Sequence, residues 1–178
     1  MTAQELIALL DLEPLAFEGG YFRETWRSQD LVPESVLPTR YRSARSAGTA
    51  IYYLVTDEPD CFSGMHRVAT DEVYHFYLGD PVEMLLLPPV DATVGKPVPT
   101  APGSRLVLGP DLAGGQLVQY VIPQGVWQGS RLVPGGHWAL LGATVAPGFE
   151  REDFEIGIRD VLMEQYPEHA ELIRRLTR

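Results

Sequence analysis

The feature that most restricts the fold is a series of short apolar segments, which lie between residues 49 and 145. Turn-forming residues separate these segments, and the 178-residue chain contains 17 Gly and 15 Pro. Short segments at this spacing are typical of antiparallel sandwiches and barrels rather than of βαβ units. The predicted strands are Thr49–Val55, Phe62–Val68, Val73–Leu78, Val82–Leu87, Arg105–Leu108, Gln116–Ile122, Val126–Leu132 and His137–Val145.

Helical patterns occur only near the two ends of the sequence. Thr2 and Glu5 have the spacing of a capping box, and apolar residues follow them at helical intervals. We therefore predict one all-β domain over 1–178, with short terminal helices. The predicted parts are a helix over 2–11, a barrel core over about 49–147 and two helices within 158–177, Ile158–Tyr166 and Glu168–Leu176.

Five further segments are predicted to be edge or loop structure. Tyr21–Trp26 mixes aromatic, charged and β-branched residues, which is typical of an edge strand. Ser28–Gly48 contains prolines and arginines and is predicted to be a loop. Asp91–Ser104 contains three prolines and is predicted to be a long hairpin connection. Phe17–Gly20 (FEGG) lacks the context of a dinucleotide-binding loop and is predicted to be a turn. The acidic group at 150–155 is predicted to be a solvated loop.

Composition and charge exclude several classes of function. The net charge is −10, so the surface repels phosphate and we expect no nucleic-acid partner. Cys61 is the single cysteine, which excludes an internal disulfide and a cysteine-based zinc cluster. The stretches Leu112–Ser130 and Leu132–Phe149 lack charged residues, but proline and glycine interrupt them, so neither is predicted to span a membrane. No signal peptide is recognisable, and we expect a cytoplasmic protein without a membrane partner.

Potential functional side chains are densest between Gly64 and Gly79. Alternate residues of a strand share a face, so His66 and Val68 should point together. Glu72, Tyr74, Phe76 and Leu78 should likewise share one face. A regular strand places His75 on the opposite face, and only a bulge between Glu72 and His75 would reverse this.

These residues resemble the two motifs of the cupin superfamily. His66, Glu72 and Gly79 match the first motif, with Val68 in the place of its second histidine. The segment Pro123–Gln128 matches the second motif, with Gln128 in the place of a metal-binding histidine. The strings EGGYFRE, IPQGVWQG and TVAPGFEREDFE are similar to type 5 cupins, an RmlC-like branch of unassigned function, and the resemblance runs nearly from end to end.

The resemblance implies a double-stranded β-helix, also called a jelly-roll barrel, with a ligand pocket inside it. His66, Glu72 and Gln128 would line this pocket. A homodimer is expected as well, because pairing with a second subunit covers the exposed edges of an open barrel. We expect a small polar ligand, such as a sugar or a nucleotide-like molecule.

Acid–base catalysis is the leading functional hypothesis. It resembles the chemistry of nucleotide-sugar epimerases of the same superfamily, which use a histidine base and a tyrosine acid. Here His66 would be the base, Glu72 its orienting partner, and Tyr77, Tyr53 or Tyr74 the acid. The reaction would be an isomerisation or epimerisation.

Two alternatives stay open. In the first, His66, Glu72 and Gln128 bind a divalent metal, and Mn²⁺ or Mg²⁺ would tolerate the oxygen donors best. In the second, the chain binds a small molecule without catalysis, through aromatic surfaces and arginine side chains. Trp127 fits core or dimer packing better than ligand stacking, and Arg67 fits a surface or intersubunit salt bridge. The residues of the binding hypothesis are Tyr53, Tyr74, His75, Phe76, Trp127 and Gln128, with Arg23, Arg67 and Arg131 as anion contacts.

Overall fold

Two antiparallel sheets face each other and enclose the main hydrophobic core. A computed structural model describes residues 1–89 and 104–178 of the chain. The strands are β1 (Glu13–Pro14), β2 (Tyr21–Arg27), β3 (Leu31–Val32), β4 (Arg45–Ser46), β5 (Thr49–Thr56), β6 (Ser63–Val68), β7 (Glu72–Gly79), β8 (Val82–Leu87), β9 (Ser104–Leu108), β10 (Gln119–Ile122), β11 (Trp127–Leu132), β12 (Trp138–Val145) and β13 (Phe154–Ile156). All the predicted strands are present, with ends that differ by no more than about three residues.

The strand order confirms the predicted jelly roll. One sheet has six strands in the order β1-β2-β5-β12-β7-β10, and the other has five in the order β13-β6-β11-β8-β9. Neighbouring strands are mostly far apart in sequence, as in a double-stranded β-helix. The sheets also include β2 and β13, which lie outside the predicted core range. The predicted connection Asp91–Ser104 lies outside the described residues, except for Ser104 at the start of β9.

Short helices cover parts of the outer faces of both sheets. Helix α1 (Ala3–Leu10) packs on the six-stranded sheet, and α2 (Arg159–Gln165) and α3 (Ala170–Arg175) pack on the five-stranded sheet. The capping box is confirmed, since the Glu5 N–H donates to Thr2 Oγ1 at 3.2 Å and the Thr2 N–H to Glu5 Oε2 at 2.7 Å. These two bonds satisfy N–H groups that would otherwise have no partner at the start of the helix.

Strand alternation places alternate residues in separate cores. Tyr53 and Val55 of β5 point between the sheets, whereas Leu54 points outwards under α1. Met84 and Leu86 of β8 join the same inner core. One set of strands therefore supplies both the inner core and the outer surfaces on which the helices pack.

A β-bulge in β7 corrects one predicted orientation. The register with β12 pairs Phe76 with Leu141 and Leu78 with Leu140, so Tyr77 is an extra residue between them. Leu78 therefore moves to the outer face and is 53% exposed, although Tyr74 and Phe76 lie on the inner side as predicted. Between residues 72 and 76 the pairing is regular, so His75 points outwards.

A buried ion pair anchors the segment predicted to be a loop at 28–48. The Arg45 side chain is fully buried and donates to both carboxylate oxygens of Asp153, at 2.8 and 2.7 Å. It also donates to Glu152 at 2.6 Å. The prediction of a solvated acidic group was wrong for Asp153, because a basic residue far away in sequence folds onto it. This pair holds the stretch that leads into β13.

In the described part of the chain, no helix is long and apolar enough to cross a membrane. Among the described strands, β9 and β10 each form one edge of a main sheet. The homodimer stays a prediction.

The Arg45–Asp153 pair predicts a large loss of stability on mutation. Arg45→Gln should lower the free energy of unfolding by about 3–5 kcal/mol, because it leaves the buried Asp153 carboxylate without its cation. The control is Arg105→Gln, whose half-exposed side chain lies 3.8 Å from Glu83, and it should cost less than about 1 kcal/mol. Urea denaturation measures both changes. Equal stability of the two variants would contradict the assigned role.

Candidate functional site

A cavity opens between the two sheets, and its buried part is polar. Its volume is about 80 Å³. His66, Glu72 and Glu18 line it and are 2%, 8% and 8% exposed. The remaining lining is mostly apolar. His66 and Val68 both line the cavity, so the prediction that they share a face is confirmed.

The hydrogen bond of His66 determines which ring nitrogen is free. Nδ1 lies 2.8 Å from the carbonyl oxygen of Gly64, which can only accept, so Nδ1 carries the proton. In the neutral ring Nε2 is then an acceptor. The ring stacks on Phe154, with centroids 4.9 Å apart and planes 16° apart. The backbone and an aromatic ring thus fix both the tautomer and the orientation of His66.

Glu72 is a buried carboxyl group at the start of β7. Its Oε2 atom accepts a hydrogen bond of 2.7 Å from Gln128 Nε2 on β11. The pKa of Glu72 is raised to about 7, chiefly by burial; His66 lowers it, the nearby Glu18 carboxylate raises it, and the hydrogen bond from Gln128 lowers it. Glu72 therefore exchanges a proton near neutral pH.

Sequence reasoning missed Glu18 as a residue of the site. It lies in the turn predicted at 17–20 and accepts a hydrogen bond of 2.6 Å from Ser63 Oγ. Its Oε1 atom is 3.9 Å from His66 Nδ1. The turn brings Glu18 inwards because Gly19, with φ +111°, follows it at a point where a Cβ atom would collide with the Phe62 carbonyl. The carboxylate directly before two glycines was the signal that could have identified it.

Glu72 does not orient His66, contrary to the hypothesis drawn from the sequence. No ion pair within 4 Å joins the two side chains in the described structure, and the near carboxylate of His66 is Glu18. Glu72 is held by Gln128 instead. The two groups are therefore separate members of one cavity.

The candidate tyrosine acids lie outside the cavity lining. Tyr53 is buried and its hydroxyl donates to the Gly19 carbonyl at 2.9 Å. Tyr74 belongs to the inner core, where burial raises its pKa well above the usual value. Tyr77 is on the outer face, 45% exposed, and packs edge-on against Tyr52. Regular alternation from Glu72 places Tyr77 on the same outer face as His75, away from His66.

The other predicted binding residues are also placed elsewhere. His75 is on the outer face, where its ring stacks near Tyr77, and Phe76 packs against the inner core. Trp127 packs against the terminal helices, in agreement with the core-packing interpretation. Gln128 reaches the site only through its bond to Glu72.

None of the three candidate arginines lines the cavity. Arg67 forms the surface salt bridge predicted for it, with Glu155 at 2.7 Å, and lies over the Trp127 ring. Arg23 lies over Tyr52, and Arg131 lines a separate surface depression. The cavity lining therefore supplies no cation for a phosphate group.

The donor set of the site does not fit a divalent metal. Within residues 1–89 and 104–178, no group of three or more His, Cys, Asp or Glu has a metal-binding arrangement. The amide group of Gln128 donates to Glu72, so its NH₂ rather than its oxygen faces the carboxylate. Ser63 and Gln128 donate to the carboxyl groups of Glu18 and Glu72, and these two groups do not form with His66 the three-ligand arrangement typical of catalytic zinc sites.

Comparison with known proteins assigns the family. The model of the family described as "Cupin superfamily (DUF985)" matches residues 4–157. The chain belongs to this family. It is 31% identical to an uncharacterized protein of Saccharomyces cerevisiae, YML079W, over 145 residues that make up 76% of this chain and 66% of the yeast protein. The chain thus spans slightly less than two thirds of that relative.

Solved structures agree with the cupin assignment along the whole chain. A hypothetical protein from Leishmania major has a TM-score of 0.80 and 32% identity, with 99% of each chain covered. A protein from Shewanella oneidensis has a TM-score of 0.79 and 29% identity, covering 100% of this chain and 98% of its own.

Distant structural neighbours of this cupin include sugar isomerases. A dTDP sugar isomerase from Desulfovibrio desulfuricans has 16% identity and a TM-score of 0.50, covering 80% of this chain and 84% of its own. An L-ribose isomerase from Cellulomonas parahominis has 14% identity and the same TM-score, covering 73% and 62%. At this identity the likeness shows the fold alone.

The raised pKa of Glu72 predicts how stability depends on pH. A carboxyl whose pKa rises from 4.5 to about 7 on folding stabilises the fold fully below pH 4.5, and this contribution is lost as the pH rises past 7. Glu72→Gln removes this dependence. The unfolding free energy of the variant relative to the native chain should therefore rise by about 2–3 kcal/mol between pH 5 and pH 8.

Denaturation at a series of pH values measures this difference. Glu83→Gln is the control for removing a carboxylate outside the cavity. A difference between Glu72→Gln and the native chain that stays constant with pH would show that Glu72 does not have a raised pKa.

Proposed function

We propose that this cupin is an isomerase or epimerase of small uncharged hydroxy-carbonyl compounds. The observation that carries the proposal is the position of two proton-transfer groups on one cavity: His66, with Nε2 as its acceptor nitrogen, and the buried carboxyl of Glu72. A neutral imidazole and a protonated carboxyl form a matched base and acid.

The proposed reaction moves one proton off carbon and one onto oxygen. His66 Nε2 takes a proton from the carbon beside the carbonyl group, and the C–H electron pair forms a carbon–carbon double bond. The carbonyl oxygen takes a proton from the free carboxyl oxygen of Glu72, which gives a neutral enediol. His66 then gives its proton to the former carbonyl carbon, and the Glu72 carboxylate takes the hydroxyl proton of the neighbouring carbon, so a new C=O bond forms and the product is the isomer. For an epimer, water protonates the original carbon on its opposite face, Glu72 takes back the proton of the first oxygen, and His66 releases its proton to solvent. Both groups thus return to their starting states.

The surroundings support this division of roles. Glu72 has a pKa of about 7, so its protonated form is well populated at neutral pH. Gln128 holds Oε2, which leaves Oε1 as the oxygen available for the acid proton. The Oε1 atom of Glu18 lies 3.9 Å from Nδ1, so a carboxyl group stands beside the ring that takes the proton. Isomerases among the distant structural neighbours agree with this class of chemistry.

The ligand is expected to be uncharged rather than nucleotide-like. Carboxyl groups of Glu18, Glu24 and Glu72 line the cavity, and among residues 1–89 and 104–178 no lysine or arginine belongs to its lining. A diphosphate group would meet like charge without a compensating cation. Of the two ligand types expected from the sequence, the uncharged one is favoured.

Deuterium incorporation tests the proposal directly. In D₂O, the native chain should exchange the proton beside the carbonyl group of at least one compound in a panel of L-ribose, glyceraldehyde and hydroxyacetone, as followed by NMR. His66→Gln and Glu72→Gln should each lower the exchange rate by about 100-fold or more, because general acid–base groups contribute effects of this size.

The control variant is His75→Gln, which changes a histidine on the outer face of β7 and should leave the exchange rate unaltered. Exchange that is equally fast in His66→Gln would refute the role of His66. Binding of a panel compound without deuterium incorporation would make this chain a binding protein instead.

A further inference from the structure

The cavity has its polar groups inside and an apolar rim outside. Its interior polar residues, Glu18, His66 and Glu72, are buried. Three phenylalanines of the lining are half-buried and stand nearer to solvent: Phe17, Phe22 and Phe149. We call these three residues the phenylalanine rim. A ligand must pass this rim to reach the proton-transfer groups.

The polar side chains near the rim form hydrogen bonds within the protein. Glu24 accepts two hydrogen bonds from Arg27, at 3.0 and 2.9 Å. Thr49 Oγ1 accepts the backbone N–H of Phe149 at 3.0 Å. A ligand at this level would therefore contact mainly aromatic carbon, and its polar neighbours Glu24 and Thr49 already bond within the protein.

Several contacts hold the rim in a defined position. Arg27 also donates to the carbonyl of Phe149 at 3.1 Å and to Glu150 at 2.8 Å. Phe17 packs edge-on against Phe154, with centroids 4.8 Å apart, and Arg151 lies 4.6 Å above the Phe17 ring. Flat apolar surfaces fixed in this way favour a ring of the ligand over a flexible polar chain.

We propose that the ligand enters with a hydroxy-carbonyl head and leaves an apolar, ring-bearing body against the phenylalanine rim. The substrate class is then an uncharged aryl or alicyclic hydroxyketone, not a free sugar. The inference of a hydroxy-carbonyl head rests on the proposed function, whereas the inference of an apolar, ring-bearing body rests on the phenylalanine rim alone.

A matched pair of ligands tests the body separately from the head. 2-Hydroxyacetophenone and hydroxyacetone share the –CO–CH₂OH group. The first carries a phenyl group on the carbonyl carbon, and the second carries a methyl group there. In titrations followed by ligand-observed NMR, the native chain should bind 2-hydroxyacetophenone about tenfold more tightly or better, because the phenyl group is buried against the rim. L-Ribose should bind more weakly than 2-hydroxyacetophenone.

Rim variants locate the preference within the molecule. Phe149→Ala should abolish most of the advantage of the phenyl compound and leave the Kd of hydroxyacetone within about twofold. Phe22→Ala is the second variant and should act in the same direction if Phe149→Ala fails to fold. Trp26→Ala is the control, because Trp26 is an exposed aromatic residue of β2 outside the cavity lining.

The outcomes separate this inference from the proposed function. Equal Kd values for the two hydroxyketones, tighter binding of L-ribose, or undetectable binding of both hydroxyketones would overturn the ring-bearing class. Phenyl-selective binding without deuterium exchange would refute the isomerase and leave the ligand class standing. Deuterium exchange with L-ribose, without tighter binding of the phenyl compound, would support the isomerase and refute the ring-bearing ligand class.

Discussion

The desolvation of Glu72 is the constraint on which the arrangement of the cavity depends. A carboxylate removed from water is unstable unless a cation or several hydrogen bonds compensate for it. Here a single amide, from Gln128, donates to it, and Glu18 adds a second negative charge nearby. The protonated form of Glu72 is favoured as a result, so the pocket contains an acid at a pH where most carboxyl groups are ionised.

Asp153 shows the opposite solution for a buried carboxylate. Arg45 binds both of its oxygens and is itself completely buried. Such a pair contributes little net free energy when formed, but it is costly to break, so it holds chain segments together. The fold thus contains two kinds of buried carboxyl group. Asp153 forms an ion pair with an arginine and has a structural role, whereas Glu72 has no arginine partner and is available for proton transfer.

The sequence predicted the parts of the site that follow from strand periodicity. The eight strands, the shared face of His66 and Val68 and the outward position of His75 follow from alternation within single strands. The position of Leu78 could not be predicted in this way, because the extra residue Tyr77 reverses the alternation after it. The amino-acid composition does not reveal such a bulge. Glu18 and Arg45 were missed for another reason: each acquires its role from residues far away in sequence, Ser63 and Asp153, and single-strand patterns contain no such information.

The neighbours of His66 come from distant parts of the chain. Gly64 is on the same strand, but Glu18 precedes β2 and Phe154 begins β13, at the edge of the five-stranded sheet. Local opening of the edge strand β13 would remove the stacking partner of the imidazole. The buried Arg45–Asp153 pair holds the residue directly before Phe154 and opposes this opening, so an ion pair remote from the imidazole in sequence also keeps its aromatic neighbour in place.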